Sequence, residues 1–305
     1  MQQTQDLSAS RLSNAWAELQ AHARDSQPLD ADAYRLAFAD PEFLLRRETR
    51  GIRMQLEMLK PELSQHEQGI ENTVVVFGSA RFPAPETAGA SLAAAQANLA
   101  KINTLQTDST ALQDTQNAQD ALTVAECHMR NAHFYDQARL FARLVAAHSN
   151  RLPLAEQLFI CTGGGPGIME AANRGAHELG APTVGLNIVL PHEQSGNKYI
   201  TPSLNFKFHY FALRKMHFMM RAKALLAFPG GFGTLDELFE VITLVQTGKA
   251  KALPIVLFGT NYWKRLVNFD VLIEEGTISR KDLELFHYVD TPEAAWDIIK
   301  NFYQL

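Results

Sequence analysis

Along this chain, short continuous apolar runs alternate with longer stretches of helical period. Thr73-Val-Val-Val-Phe77 suits a central strand covered on both faces and Lys223-Ala-Leu-Leu-Ala-Phe228 a buried strand, while Leu158-Phe-Ile-Cys-Thr162, Thr183-Val-Gly-Leu-Asn-Ile188 and Leu253-Pro-Ile-Val-Leu-Phe258 read as further strands. Leu204-Asn-Phe-Lys-Phe208 alternates like a strand with one open face, and Phe286-His-Tyr-Val289 suits an edge. Between them, residues 132–148, 210–221 and 238–246 carry a helical stripe, as does a single helix over 260–275 with Trp263 and Leu266 inward. A closing helix over 291–303 has Thr291 as cap, Pro292 at the first helical position and Glu293 in the first turn. Its apolar face runs through Ala295, Trp296 and Ile299. Alternating strands and helices predict an α/β fold, a Rossmann-like doubly wound parallel sheet of about six to seven strands with helices on both faces.

Two stretches depart from that rhythm. Residues 1–70 read as a strand-free helical extension covering one face of the core, with a regulatory or oligomer-forming role as the alternative. Asp6 or Ser8 can cap a first helix through Leu12, Trp16 and Leu19, and a second begins at Leu29. Asp40 and Pro41 start a third, with Leu44, Leu45, Ile52, Leu56 and Leu59 apolar. Residues 71–305 form the main domain, interrupted over about 86–126 by a stretch with no aromatic residue and a thin leucine stripe. That stretch reads as an insertion in the first crossover, either a helical hairpin turning near Thr107-Asp108-Ser109 or partly disordered.

Composition narrows the class. At 305 residues, 46% hydrophobic and 20% charged, the chain can bury a sizeable core. A net charge of −5 gives no basic excess for nucleic acid. Cys127 and Cys161 make neither a metal spacing nor a disulfide framework, which fits a reducing cytoplasm. The first residues lack a signal-peptide pattern, and no apolar run approaches the roughly 20 residues that span a bilayer. The histidines show no His-x-x-x-His spacing, so no metal is expected.

The candidate chemistry sits at strand ends. Gly78-Ser79-Ala80-Arg81 follows the first strand, and Ser79 and Arg81 are either ligand contacts or plain turn residues. Gly163-Gly164-Gly165-Pro166-Gly167 follows the second and opens a helix, where Glu170 either complements the dipole or touches ligand. It is not the dinucleotide fingerprint, because Ile168 stands where the third glycine would be. Gly230, Gly231 and Gly233 with Thr234 follow the strand ending at Phe228, in a strand-to-helix turn suited to a phosphate. No Gly-Lys-Ser/Thr marks a nucleoside triphosphatase, and no Gly-x-Ser-x-Gly an α/β-hydrolase. Arg214 and Lys215 lie in a largely apolar helix, where a guanidinium needs an anion. A phosphate site with a carboxylate (Glu237) and a cation suits cleavage of an N-glycosidic bond in a nucleoside monophosphate. Thr234-x-x-Glu237 equally matches a capping box, so Glu237 is either cap or catalyst on this reading.

Pro229-Gly-Gly-Phe-Gly-Thr-Leu-Asp-Glu237 resembles the Pro-Gly-Gly-x-Gly-Thr-x-x-Glu signature of the LOG ("lonely guy") family. Gly163-Gly-Gly-Pro-Gly-Ile-Met-Glu-Ala-Ala172 and Arg214-Lys215 resemble its other two motifs, in the same order. The resemblance covers about residues 73–303 without the insertion, and the added helical regions liken the chain to longer members. It implies a cytokinin riboside 5′-monophosphate phosphoribohydrolase, of a family long labelled lysine decarboxylases, with Arg214 and Glu237 as the catalytic pair. The substrate expected is a purine-type nucleoside monophosphate such as AMP or its N6-isoprenoid derivative. A homodimer or higher homo-oligomer is also implied. No feature suggests pyridoxal phosphate, and no cofactor is expected. The alternative is a non-catalytic nucleotide-binding or sensing protein using the same turns.

Overall fold

The computed structural model of the chain describes residues 35–105, 111–189 and 196–305. The helix expected from Asp6 or Ser8, most of the one beginning at Leu29 and the turn at Thr107-Asp108-Ser109 lie outside the described residues. The chain divides into two compact units, Met1–Leu59 and Lys60–Leu305.

In the first unit, Asp40 caps helix α1 (Pro41–Leu45), its carboxylate accepting from the Glu42 and Phe43 amides. One helix was expected from here to Leu59, but the chain turns at residues 46–49 before α2 (Arg50–Glu67) begins. Arg46 is extended, and the Thr49 hydroxyl lies within 3.0 Å of the carbonyls of Phe43, Leu44 and Arg46, any one of which can take its proton. Leu45, Ile52, Leu56 and Leu59, expected as an apolar face, are solvent-exposed.

The second unit holds a seven-stranded, all-parallel sheet in the order β4-β3-β2-β1-β5-β6-β7. Its strands are β1 (Thr73–Phe77), β2 (Phe159–Thr162), β3 (Thr183–Ile188), β4 (Asn205–Phe208), β5 (Ala222–Ala227), β6 (Ile255–Phe258) and β7 (Phe286–Val289). β1, β2, β3 and β6 are buried along their whole length, which is why their sequences are largely apolar, with Thr183 and Asn187 of β3 among the buried polar exceptions. β4 alternates exposed and buried positions as an edge strand should.

Between β1 and β2 run α3 (Pro85–Leu105), α4 (Ala111–Asn131) and α5 (His133–Ser149). α3 and α4 pack on each other along the described part of the expected insertion. α6 (Ile168–His177) follows β2 and lies against α5. α7 (Phe211–Met220) follows β4, and α8 (Phe232–Gln246) follows β5. The stretch expected as one helix over 260–275 is two, α9 (Thr260–Leu266) and α10 (Phe269–Glu274). Val267 is extended and the Asn268 side chain caps the second helix, accepting from the Asp270 amide. Trp263 is buried as expected, but Leu266 is exposed, because the break frees the end of α9. α11 (Pro292–Tyr303) closes the chain, with Thr291 accepting from Ala294 and with Ala295, Trp296 and Ile299 buried.

The chain leaves β1 toward β2, β3 and β4 on one side, then returns to place β5, β6 and β7 on the other. The reversal falls between β1 and β5, and the crevice beyond their carboxyl ends is where such sheets bind ligands.

Candidate functional site

Three turns meet at that crevice because their backbones are tied together. The Phe228 amide donates to the Phe77 carbonyl (2.9 Å), carrying the β1–β5 ladder past the end of the strands. The Ser79 amide donates to the Pro229 carbonyl (3.0 Å), and the Ser79 carbonyl accepts from the Ile168 amide (3.1 Å). Ser79 thus joins all three turns through its main chain, while its hydroxyl accepts from the Arg81 amide at 3.1 Å. Gly167, at φ 69°, caps α6 where a β-carbon would run into the Ser79 carbonyl, so only glycine lets the second turn approach the first.

The crevice has a volume of about 700 Å³. Of the residues expected to bind ligand, Gly78, Ser79, Gly163, Gly165, Arg214, Gly230, Gly231, Gly233, Thr234 and Glu237 all line it. Phe211, Phe232, Met169 and Ile188 add apolar lining, and Phe232 is 92% exposed.

The others expected there do not line it. Gly164 is buried at φ 76° against the Asn187 side chain, and Gly167 is the joint just described. Glu170 accepts from the Tyr135 hydroxyl at 2.9 Å. Lys215 turns to Asp236 (2.7 Å) and Glu240 (3.0 Å), clamping α7 to α8.

Helix α8 starts earlier than its apolar pattern suggests. Gly231 is its N-cap and Phe232 its first residue, so Gly233 and Thr234 belong to the helix. The capping box expected from Thr234 and Glu237 does not form, since no side chain caps this helix and Glu237 lies too far along it. The first backbone bond closed is Leu235 N–H to the Gly231 carbonyl (3.1 Å), which leaves the amides of residues 232–234 without intrahelical acceptors. No acidic residue stands in the first turn, and nothing lies within 4 Å of where a side chain would sit at Gly231 or Gly233. An open, positive helix end facing a crevice is suited to an anion.

Arg214 of α7 reaches Glu237 of α8, Nη2 to Oε1 at 3.0 Å. Both side chains are nearly buried, about 10% and 13% exposed. The guanidinium also lies over the rings of Phe211 (5.1 Å) and Phe218 (5.6 Å), and its Nε is buried with no hydrogen-bond partner among the described residues. Burial pushes the Glu237 carboxyl up to about 7, and the Arg214 charge only partly offsets it.

Sequence reasoning missed Tyr262. Its hydroxyl donates to the Gly230 carbonyl at 2.6 Å and its ring lines the crevice. The partners stand 32 residues apart, so no local motif carried the signal. Among the described residues, no group of three metal-ligating side chains gathers, and no helix is long and apolar enough to cross a membrane.

Fold and crevice together define a doubly wound α/β protein with an anion-suited cleft at its switch point. Residues 169–299 match a family described as "Possible lysine decarboxylase". The chain is 32% identical over 134 residues to cytokinin riboside 5′-monophosphate phosphoribohydrolase LOG4 of Arabidopsis thaliana, covering 43% of this chain and 60% of that protein. It is 35% identical over 121 residues to the probable phosphoribohydrolase LOGL5 of Oryza sativa subsp. japonica, covering 38% and 48%. The chain thus spans about three-fifths or less of the length of these relatives. A solved structure of the Moco carrier protein from Chlamydomonas reinhardtii matches 57% of this chain and 90% of that one, at 21% identity and a TM-score of 0.36. The resemblance to the lonely guy family carried by the three motifs is borne out by these similarities.

Proposed function

We propose that the chain hydrolyses the N-glycosidic bond of a purine-type nucleoside 5′-monophosphate, a cytokinin riboside monophosphate or AMP, to free base and ribose 5-phosphate. The observation that carries this is the Arg214–Glu237 pair in the same crevice as the open start of α8. The names of the relatives support it.

The phosphate docks on the amides at the start of α8, with Gly231 and Gly233 letting it approach the main chain. That contact is remote from the ribose C1′ and supplies binding energy that orients the sugar. The C1′–N bond breaks and its electron pair leaves with the base, which takes up a proton from solvent water; Glu237 later returns one to solvent, so the proton count balances. Glu237, as carboxylate, stabilises the positive charge developing on the ribose. A water oxygen then bonds to C1′ and gives a proton to Glu237. Arg214 holds Glu237 at one rotamer and keeps a fraction of it ionised near neutral pH. A carboxyl at about 7 is well matched to taking and returning that proton.

The name of the matching family raises a second chemistry, pyridoxal phosphate catalysis. It requires a lysine in the cleft for the internal Schiff base. None of the described residues that line this crevice is a lysine, and Lys215 is paired with Asp236 and Glu240. The residues present do not fit that group. A cytoplasmic homodimer is part of the reading, and sedimentation of the purified chain tests the assembly.

The test of function is chromatography of nucleoside monophosphates incubated with the protein. Release of base from AMP or an N6-isoprenoid analogue, lost in Glu237→Ala, supports the reading. Tight nucleotide binding without turnover favours a non-catalytic sensor, and sinks it.

A further inference from the structure

We propose that Tyr262 is a positioning residue for the substrate phosphate, a role that rests on the phosphate site proposed above. The turn between β5 and α8 is held from outside by two consecutive aromatic residues of α9. The Trp263 indole N–H lies 3.2 Å from the Ala227 carbonyl and 2.9 Å from that of Phe258. The Tyr262 hydroxyl donates to the Gly230 carbonyl at 2.6 Å. Trp263 therefore fixes the end of the strand, and Tyr262 fixes the turn one step before the helix start.

The second contact has an electrostatic consequence that the first lacks. Gly230 lines the crevice, one residue ahead of the Gly231 N-cap. A carbonyl oxygen there carries partial negative charge beside the place where an anion would dock. The Tyr262 hydrogen bond draws on that oxygen and ties it away from the ligand. The hydroxyl is set for this by its surroundings. Gly259, at φ 90°, turns the chain out of β6 into α9, where a β-carbon would press on Phe134 and Pro229. Burial raises the phenol above its ordinary range, so it stays a donor at neutral pH. A β-carbon at Gly230 would run into the Thr234 side chain, so this position of the turn takes glycine. Tyr262 is thus the side chain that holds the Gly230 carbonyl.

The test is Tyr262→Phe, which keeps the ring and removes only the donor. Binding of ribose 5-phosphate and inorganic phosphate is measured by calorimetry, binding of a phosphate-free nucleoside serves as control, and KM and kcat are measured on AMP. The expected result is about tenfold weaker binding of both phosphate ligands and about tenfold higher KM, with kcat within about twofold and nucleoside binding unchanged. Thermal unfolding reports any general loosening. Unchanged phosphate affinity overturns the proposal, as does an equal loss for the phosphate-free nucleoside, which would mark a merely structural contact. If wild type binds ribose 5-phosphate but hydrolyses nothing, and the variant binds it about tenfold less well, the positioning role stands and the hydrolase reading alone fails.

Discussion

Arg214 and Glu237 meet in a nearly buried ion pair, Nη2 to Oε1 at 3.0 Å, yet the carboxyl sits at about 7. Burial and a cation act on Glu237 in opposite senses, and burial wins. The pair is therefore poised between a neutral and an ionised carboxyl in the range where an acid–base group works best.

The first prediction is a pH profile. If the ionised carboxylate is the active form, kcat/KM should bend near pH 7 and fall about tenfold per unit below it. Stability follows the opposite sense. The folded value lies above the ordinary 4.5, so Glu237's contribution is fully present below 4.5 and is lost as pH rises through about 7. Glu237→Gln should accordingly gain in Tm relative to wild type between pH 5 and 8, read by thermal unfolding across that range.

Removing the cation should move the same limb. Arg214→Met leaves Glu237 buried without its opposing charge, so its carboxyl rises further. The acid limb of kcat/KM should shift to higher pH, and residual activity at pH 9 should exceed that at pH 7. An acid limb that stays put would mean that another group controls it.

The buried Arg221 offers a test of the scaffold. It donates to the Glu62 carboxylate (2.6 and 2.8 Å) and to the Ile70 carbonyl (2.7 Å). Glu62→Ala strands that guanidinium. Because Glu62 is itself about a third exposed, the loss should be about 2 kcal/mol in chemical denaturation rather than the larger cost of a fully buried pair. The Arg221 hydrogen bond holds Glu62 below its ordinary 4.5, so this contribution is present above 4.5 and lost as pH falls through the lowered value.

Gly167→Ala should be costlier than an ordinary loop change. The new β-carbon meets the Ser79 carbonyl, and φ is 69°. A loss of more than about 2 kcal/mol is expected from strain and displacement together. Denaturant titration checks it.

Much of the fold was legible because buried parallel strands must be apolar on both faces. β3 runs over the residues its pattern marked, and β1 likewise. Thr291, Pro292 and Glu293 announced α11 by local hydrogen bonding alone. The errors fell where a local rule competed with a second interaction. The start of α8 was hidden because glycines 231 and 233 have poor helix propensity, although the helix needs them open to the crevice. Thr234-x-x-Glu237 had the spacing of a capping box, but Glu237 answers to Arg214, 23 residues away. Lys215 read as a ligand cation beside Arg214, yet successive helical residues point in different directions, and it found Asp236 and Glu240. Tyr262 had no local signal at all, since its partner Gly230 lies in a neighbouring strand's turn.

Glycosidic cleavage in this crevice is anchored by phosphate and run by Glu237 in the function proposed above. It is tested most directly by measuring free base released from AMP, from its N6-isoprenoid analogue and from the matching nucleosides, with wild type and Glu237→Gln side by side. Base and ribose 5-phosphate are expected from at least one monophosphate, with a loss of at least about 10²-fold in kcat/KM for the variant and little release from the nucleosides. Equal turnover of nucleosides and monophosphates, or an undiminished Glu237→Gln, would contradict it.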